Sequence, residues 1–213
     1  YMQADAAGIS HQHSLPGQAP YVRGIDARPG PWLVAQELIY GTPEAFNDAL
    51  RFDMERGQTA VNLIIDEATR AGLDPDQAPP EKVGRDGVSI ASLDDMARAL
   101  DGIDLSQTPI LIRAAVAGVP MLAMLAALMR RQGKDTRTLQ GCIEVDPLGA
   151  MAWTGRLPLS LERAYDEMAL LVNWSQAHAP DLDVIGVHSY PYHNAGASAV
   201  QELAYAIASG VAY

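Results

Sequence analysis

Along this chain, short continuous apolar runs alternate with apolar positions spaced three and four residues apart. The clearest case is residues 183–209, DVIGVHSYPYHNAGASAVQELAYAIAS. Val184, Ile185 and Val187 form the run expected of a parallel strand buried on both faces. Beyond Ala197, the positions Ala199, Val200, Leu203, Ala204, Ile207 and Ala208 predict a helix with an inward apolar face, and Gly210 supplies a stop. His188, Tyr190, Tyr192, His193 and Asn194 fall between the two. In an α/β fold that is the functional edge.

The same alternation predicts four earlier units. Residues 1–31, with four prolines and no sustained period, read as an extended arm. Strands are expected at 32–39, 60–65, 109–115 and 141–145. Thr42 with Pro43 opens a helix to Arg56, and Ser92, with Asp95 able to reach back, caps one ending at Leu100. Helices are also expected at 118–131 and 160–177. The Pro-, Asp- and Gly-rich stretch 66–91 reads as one loop of about twenty-five residues, a length usually kept for function. Five strand–helix repeats without a hairpin signal predict a parallel α/β sheet. A closed (β/α)8 barrel needs eight such units and about 250 residues, so the expectation is a partial barrel over 32–213. A complete five-stranded doubly wound sheet is the alternative.

Composition narrows the partners. With 48% hydrophobic residues in 213, the chain can build a core without a disulfide or a metal. The single cysteine, Cys142 in GCIEV, reads as a buried thiol of a reducing, cytoplasmic compartment. There are 26 acidic against 15 basic residues, a net charge of −11, and the basic residues are scattered apart from Arg130 and Arg131. Neither nucleic acid nor an anionic membrane is therefore an expected partner. The most apolar run, 114–129, is broken by Gly118 and Pro120 and is too short to span a bilayer.

If the sheet is a barrel wall, the loops after its strands gather Asp66, Glu67, Glu144, Asp146, His188, Tyr190, Tyr192 and His193 at one face. Such a set suits acid/base work or a divalent metal, as in a metal-dependent hydrolase. The spacing is no metal signature, however, since His188 and His193 lack the helical HExxH presentation. Arg113, inside the apolar run Ile110 to Ala114, needs a partner, and an ion pair with Glu144 is the plain reading. The glycines around Gly84 and Gly87 lack a phosphate-loop context.

Several phrases carry a resemblance: PGQAPYVRG, the run from IDEATRAGLD to GVSIASLDDM, and YHNAGASAVQELAYAIASG. Together they resemble the barrel domain of the methylmalonyl-CoA mutase family over nearly the whole chain. The resemblance implies a TIM-type barrel, of which this is the front part. Catalytic chains of that family carry a tyrosine–histidine pair before the alanine-glycine-alanine; the alignment puts Tyr190 at the tyrosine and Pro191 at the histidine, with His193 two residues later. The family's glutamine–asparagine pair falls on Glu144 and Val145, and its carboxylate-binding arginine on Asp166. The tyrosine-bearing segment after PYVRG is shortened to 25–30, without a tyrosine. Leu111, Arg113 and Ala115 stand where catalytic chains line a lumen for the coenzyme A tail.

These departures resemble the small, non-catalytic subunit of heterodimeric mutases, whose YHNAGAS phrase matches residues 192–198. The resemblance then implies that a paralogous large subunit binds adenosylcobalamin and the acyl-CoA, with no cofactor or metal held by this chain. No catalytic residue is expected here; Tyr190, His193 and Glu144 are the candidates if the chain is instead an active mutase with an altered pocket.

Overall fold

The computed structural model describes residues 8, 10, 11, 13–25, 27 and 30–213. The chain divides into two compact units, Tyr1–Leu33 and Val34–Tyr213. In the first, the described residues form linked turns closed by bonds such as Gly17 N to Gly24 O at 2.9 Å and Tyr21 N to Gln18 O at 2.7 Å. Much of the arm expected over 1–31, and Asp26, Arg28 and Pro29 of the shortened segment, lie outside the described residues.

The second unit runs α1 (Pro43–Met54), β1 (Val61–Ile64), α2 (Glu67–Arg70), α3 (Leu93–Ala99), β2 (Ile110–Ala115) and α4 (Gly118–Arg131). It continues with β3 (Gly141–Val145), α5 (Pro147–Thr154), α6 (Leu161–His178), β4 (Leu182–Asp183), α7 (Tyr190–Asn194) and α8 (Ala199–Ala212). The expected caps are present. Thr42 Oγ1 accepts from Ala45 N with Pro43 at the first helical position, and Ser92 accepts from Asp95 N while Asp95 accepts from Ala91 N.

The four strands are parallel and follow the sequence, β1-β2-β3-β4. Along β2, Ile110, Ile112 and Ala114 are fully buried, while Leu111, Arg113 and Ala115 are half-exposed. The buried positions join Leu63 and Ile143 with Leu50, Met96, Met121, Leu125, Met168 and Leu171 from the helices in one core. Helices thus cover one face of the sheet and leave the other half open. A doubly wound sheet would bury both faces and reverse its strand order at a switch point, whereas strands in sequence order with one helical layer are what a partial (β/α) barrel requires. Gly141 permits the closest strand contact: at φ +121°, a Cβ there would lie 2.0 Å from Ile110 O.

Four expectations need correction. The strand at 32–39 shrinks to one parallel bridge, Leu38 to Leu63; Val34 O still accepts from Thr59 N and Ala60 N, while Val34 N and Ala35 O are bonded by the Thr59 and Asn62 side chains. The strand at 184–187 is replaced by the two-residue β4. Gly186 N still reaches Val145 O at 3.2 Å, but the next free amide, His188 N, is taken by the Asp146 carboxylate at 2.7 Å. The loop at 66–91 holds α2 and is pinned by Asp66, which accepts from Thr69 N and Gly84 N, both at 2.7 Å. Finally, α8 runs through Gly210, and its expected inner face is outward: Val200, Leu203 and Ile207 are 79%, 62% and 59% exposed. Its buried residue is Ser209, hydrogen-bonded to Tyr192.

Candidate functional site

The C-terminal ends of β2, β3 and β4 bring charged side chains together on the half-open face. Arg113 and Glu144 are direct partners in the β2–β3 register. The guanidinium Nε lies 3.7 Å from Glu144 Oε2 and Nη1 lies 3.6 Å from Glu37 Oε1. On the other side, Glu144 Oε2 meets His188 Nε2 at 3.1 Å. The result is an alternating row, Glu37, Arg113, Glu144, His188. The hydrogen bond with His188, reinforced by the charges of His188 and Arg113 and opposed by burial, holds the Glu144 carboxyl below the ordinary glutamate value.

Two backbone features hold the row. Immediately after Arg113 the β2–β3 register slips, and Ala115 takes φ +53°, a left-handed conformation that costs a non-glycine residue about 1–2 kcal/mol. The carbonyl of Ala115 accepts from Asp146 N at 3.0 Å. Asp146, 4% exposed, is the second: its Oδ1 accepts from Gly149 N at 2.8 Å and from the Tyr213 hydroxyl, and its Oδ2 accepts from His188 N. One carboxylate therefore caps α5 and anchors the backbone of His188. Burial, then the bond to Asp146, pushes the Tyr213 phenol above its usual range.

Tyr190 and His193 form a different group, on α7. Their rings are stacked, 6.4 Å apart at 21°, and Tyr190 meets Trp153 of α5 at 5.7 Å. His193 Nδ1 faces Glu202 Oε2 at 3.1 Å, and Glu202 Oε1 accepts from Ser189 at 2.7 Å. Pro191, at the position aligned with the family histidine, is buried in the first turn of α7.

Of the expected cluster, the structure joins Glu144, Asp146 and His188. Asp66 is consumed as the cap of α2, and Glu67 pairs with Lys82 and Arg85 at 4.0 and 3.5 Å. Tyr192 turns to Ser209 and Tyr205. Tyr190 and His193 share no hydrogen bond or ion pair with Glu144, and Asp166 lies exposed on α6 without one among the described residues. Among the described residues no group of three or more His, Cys, Asp or Glu is placed to hold a metal, and no helix is long and apolar enough to cross a membrane. Sequence reasoning missed Glu37, Trp153, Ser189 and Glu202. The signal for Trp153 was present, since Asp146-Pro147 and Gly155 mark the two ends of a helix.

Comparison with known proteins now bears on this geometry. The family model described as Methylmalonyl-CoA mutase matches residues 1–213. Among individual relatives, a methylmalonyl-CoA mutase of Cereibacter sphaeroides is 32% identical over 217 residues, covering 100% of this chain and 31% of its own length. One of Rhizobium meliloti is 33% identical, with 30% of its length covered, and a probable methylmalonyl-CoA mutase large subunit of Mycobacterium tuberculosis is 30% identical over 221 residues. The chain thus spans about a third of the length of the curated relatives it matches. The hydrolase reading finds no support in these matches. With the family's phrases, a parallel sheet walled by helices on one face, and a match through every residue, this chain belongs to the methylmalonyl-CoA mutase family.

Proposed function

We propose that this chain is part of the small, non-catalytic subunit of an adenosylcobalamin-dependent methylmalonyl-CoA mutase, working beside a paralogous large catalytic subunit in the cytoplasm. The observation that carries the reading is the Arg113–Glu144–His188 row. At the position aligned with the family glutamine, a carboxylate is tied to an imidazole and faces a guanidinium, so the chain's own charges fill the open face. Leu111 and Ala115 flank it with apolar surface where a coenzyme A tail would need polar contacts. Neither cofactor nor acyl-CoA is assigned to this chain. At the position aligned with the family histidine, which the resemblance implies helps to hold the acyl-CoA, the buried Pro191 has neither an imidazole nor an N–H to donate, so the residue present does not fit that contact.

The competing reading, an active mutase with an altered pocket, draws on the relatives that are themselves named as mutases and large subunits. One experiment separates the two. In the assembled complex, His193→Ala and Tyr190→Phe should leave turnover within a few-fold, whereas loss of a group acting in proton transfer costs about a hundredfold or more. A hundredfold fall with the complex intact would assign the chemistry to this chain.

A further inference from the structure

At the opposite end of the sheet from the Arg113–Glu144–His188 row, the last turn of α1 and the connection from α3 to β2 border a cleft of about 230 Å³. Arg51, Met54 and Glu55 form one wall, and Ile103, Asp104 and Thr108 the other. The Arg51 guanidinium lies over Gly102, with its Cζ and Nε 3.7 Å from the point where a Cβ would stand. Both acids of the lining already have cations. Glu55 faces Arg56 at 3.7 Å, and Asp104 accepts from Lys134 and from Ser106 N. The bond from Lys134, then those from Ser106, hold the Asp104 carboxyl down at about 2. Arg51 differs from both, since its side chain makes no hydrogen bond or ion pair among the described residues. The carbonyls that end α1 do not meet it either: those of Arg51, Asp53 and Met54 accept from Glu55, Arg56 and Gly57 N–H groups.

We propose that this cleft binds a small monocarboxylate, with its carboxylate on Arg51 and its short apolar body on Met54 and Ile103. Charge selects the class. With Glu55 and Asp104 each paired, Arg51 leaves one positive charge in excess, which a single carboxylate balances and a second would overshoot. The planar fork of a guanidinium also matches a carboxylate with two parallel hydrogen bonds. Volume limits the guest. The cleft far exceeds the ~30 Å³ share of one water and falls below the roughly 300–1,000 Å³ of drug-sized sites, so the apolar body is a few carbons long. Thr108 offers a further hydroxyl from the far wall, itself without a side-chain hydrogen bond among the described residues. A guest so held bridges α1 and the α3–β2 connection. It needs neither the half-open face nor any cofactor, and the site stands whether or not the chain is a catalytic subunit.

The test uses butyrate, acetate and butylammonium, which separate charge from apolar body. Phenylglyoxal modifies guanidinium groups, and peptide mass spectrometry reads the rate at Arg51 in the intact protein, with exposed Arg85 as the internal reference. Butyrate at saturation is expected to slow modification of Arg51 about threefold or more. At equal concentration and ionic strength, acetate should protect less and butylammonium not at all. Arg56→Gln frees Glu55 to compete for Arg51, so protection by butyrate should fall about twofold or more in that variant. Protection by acetate equal to that by butyrate would reduce the site to a bare anion contact and overturn the proposal. Protection by butylammonium, protection by none of the three, or protection by butyrate unchanged in Arg56→Gln would overturn it as well.

Discussion

Replacing Asp146 tests how this edge of the sheet is held, and the two substitutions that separate charge from hydrogen bonding have different expected costs. The carboxylate accepts two backbone N–H groups, from Gly149 and His188, and one hydroxyl, from Tyr213, while being 4% exposed. Asp146→Ala strands all three donors and removes a helix cap. At about 1–3 kcal/mol for each buried group left unmet, softened by relaxation and water entry, the loss should be about 3–5 kcal/mol. Asp146→Asn is more discriminating. With its oxygen toward Gly149 and Tyr213, its amide confronts His188 N–H; flipped, it confronts Gly149 N–H while the Tyr213 hydroxyl turns to accept. Either way one backbone donor is orphaned, a cost of about 1–3 kcal/mol. Urea unfolding of the three proteins at neutral pH, followed by circular dichroism, measures both. If Asn costs as much as Ala, the negative charge and not the count of satisfied donors matters. If Ala costs under about 1 kcal/mol, the anchoring role is wrong.

Two further expectations concern titration. Because the Glu144 carboxyl is held below its ordinary value of 4.5, its pairing should stabilise the fold above that value and lose the contribution as pH falls through the depressed one. The stability gap between the unaltered protein and Glu144→Gln should therefore be flat near neutrality and close on acidification; a gap that widens would reverse the sign. Burial, with Glu144 and Asp183 adding, pushes the Cys142 thiol up to about 12 from 9.0. Its thiolate fraction at pH 8 should be about a thousandfold below that of the unfolded chain, and alkylation by iodoacetamide correspondingly slow, whereas equal native and unfolded rates would refute this environment.

What could be read from the residues alone follows the range of the forces involved. Helix ends were legible because their signals are local: Thr42-Pro43, Ser92 with Asp95, and the basic pair in the last turn of α4 all act within a turn. The Arg113–Glu144 pair was legible because a charge in an apolar strand has few places to go. The extent of β4 was not, since it depends on where the His188 amide bonds, and its acceptor lies 42 residues earlier. The face of α8 was misread for a related reason. Periodicity finds an apolar stripe but not what it meets, and here the helix turns Glu202 and Ser209 toward Ser189 and Tyr192. The candidate site divided in the same way: Glu144 and His188 converge through the sheet, while Tyr190 and His193 are carried off by the short α7, whose first turn holds Pro191.

The strand order has a consequence for synthesis. Since β1, β2, β3 and β4 lie side by side in the order in which they are translated, each strand emerges from the ribosome with its pairing edge already laid down. No strand has to wait for a later one to fill a gap between neighbours, as happens when a sheet is built outward from a central strand in two directions. Growth proceeds from one moving edge, and loop closure at each step spans one or two helices and their turns. Asp146 is the exception to this vectorial scheme. Its capping bond to Gly149 is available at once, but its bonds to His188 and Tyr213 join residues 42 and 67 positions later, so the unit can close around that carboxylate only after β4 has docked.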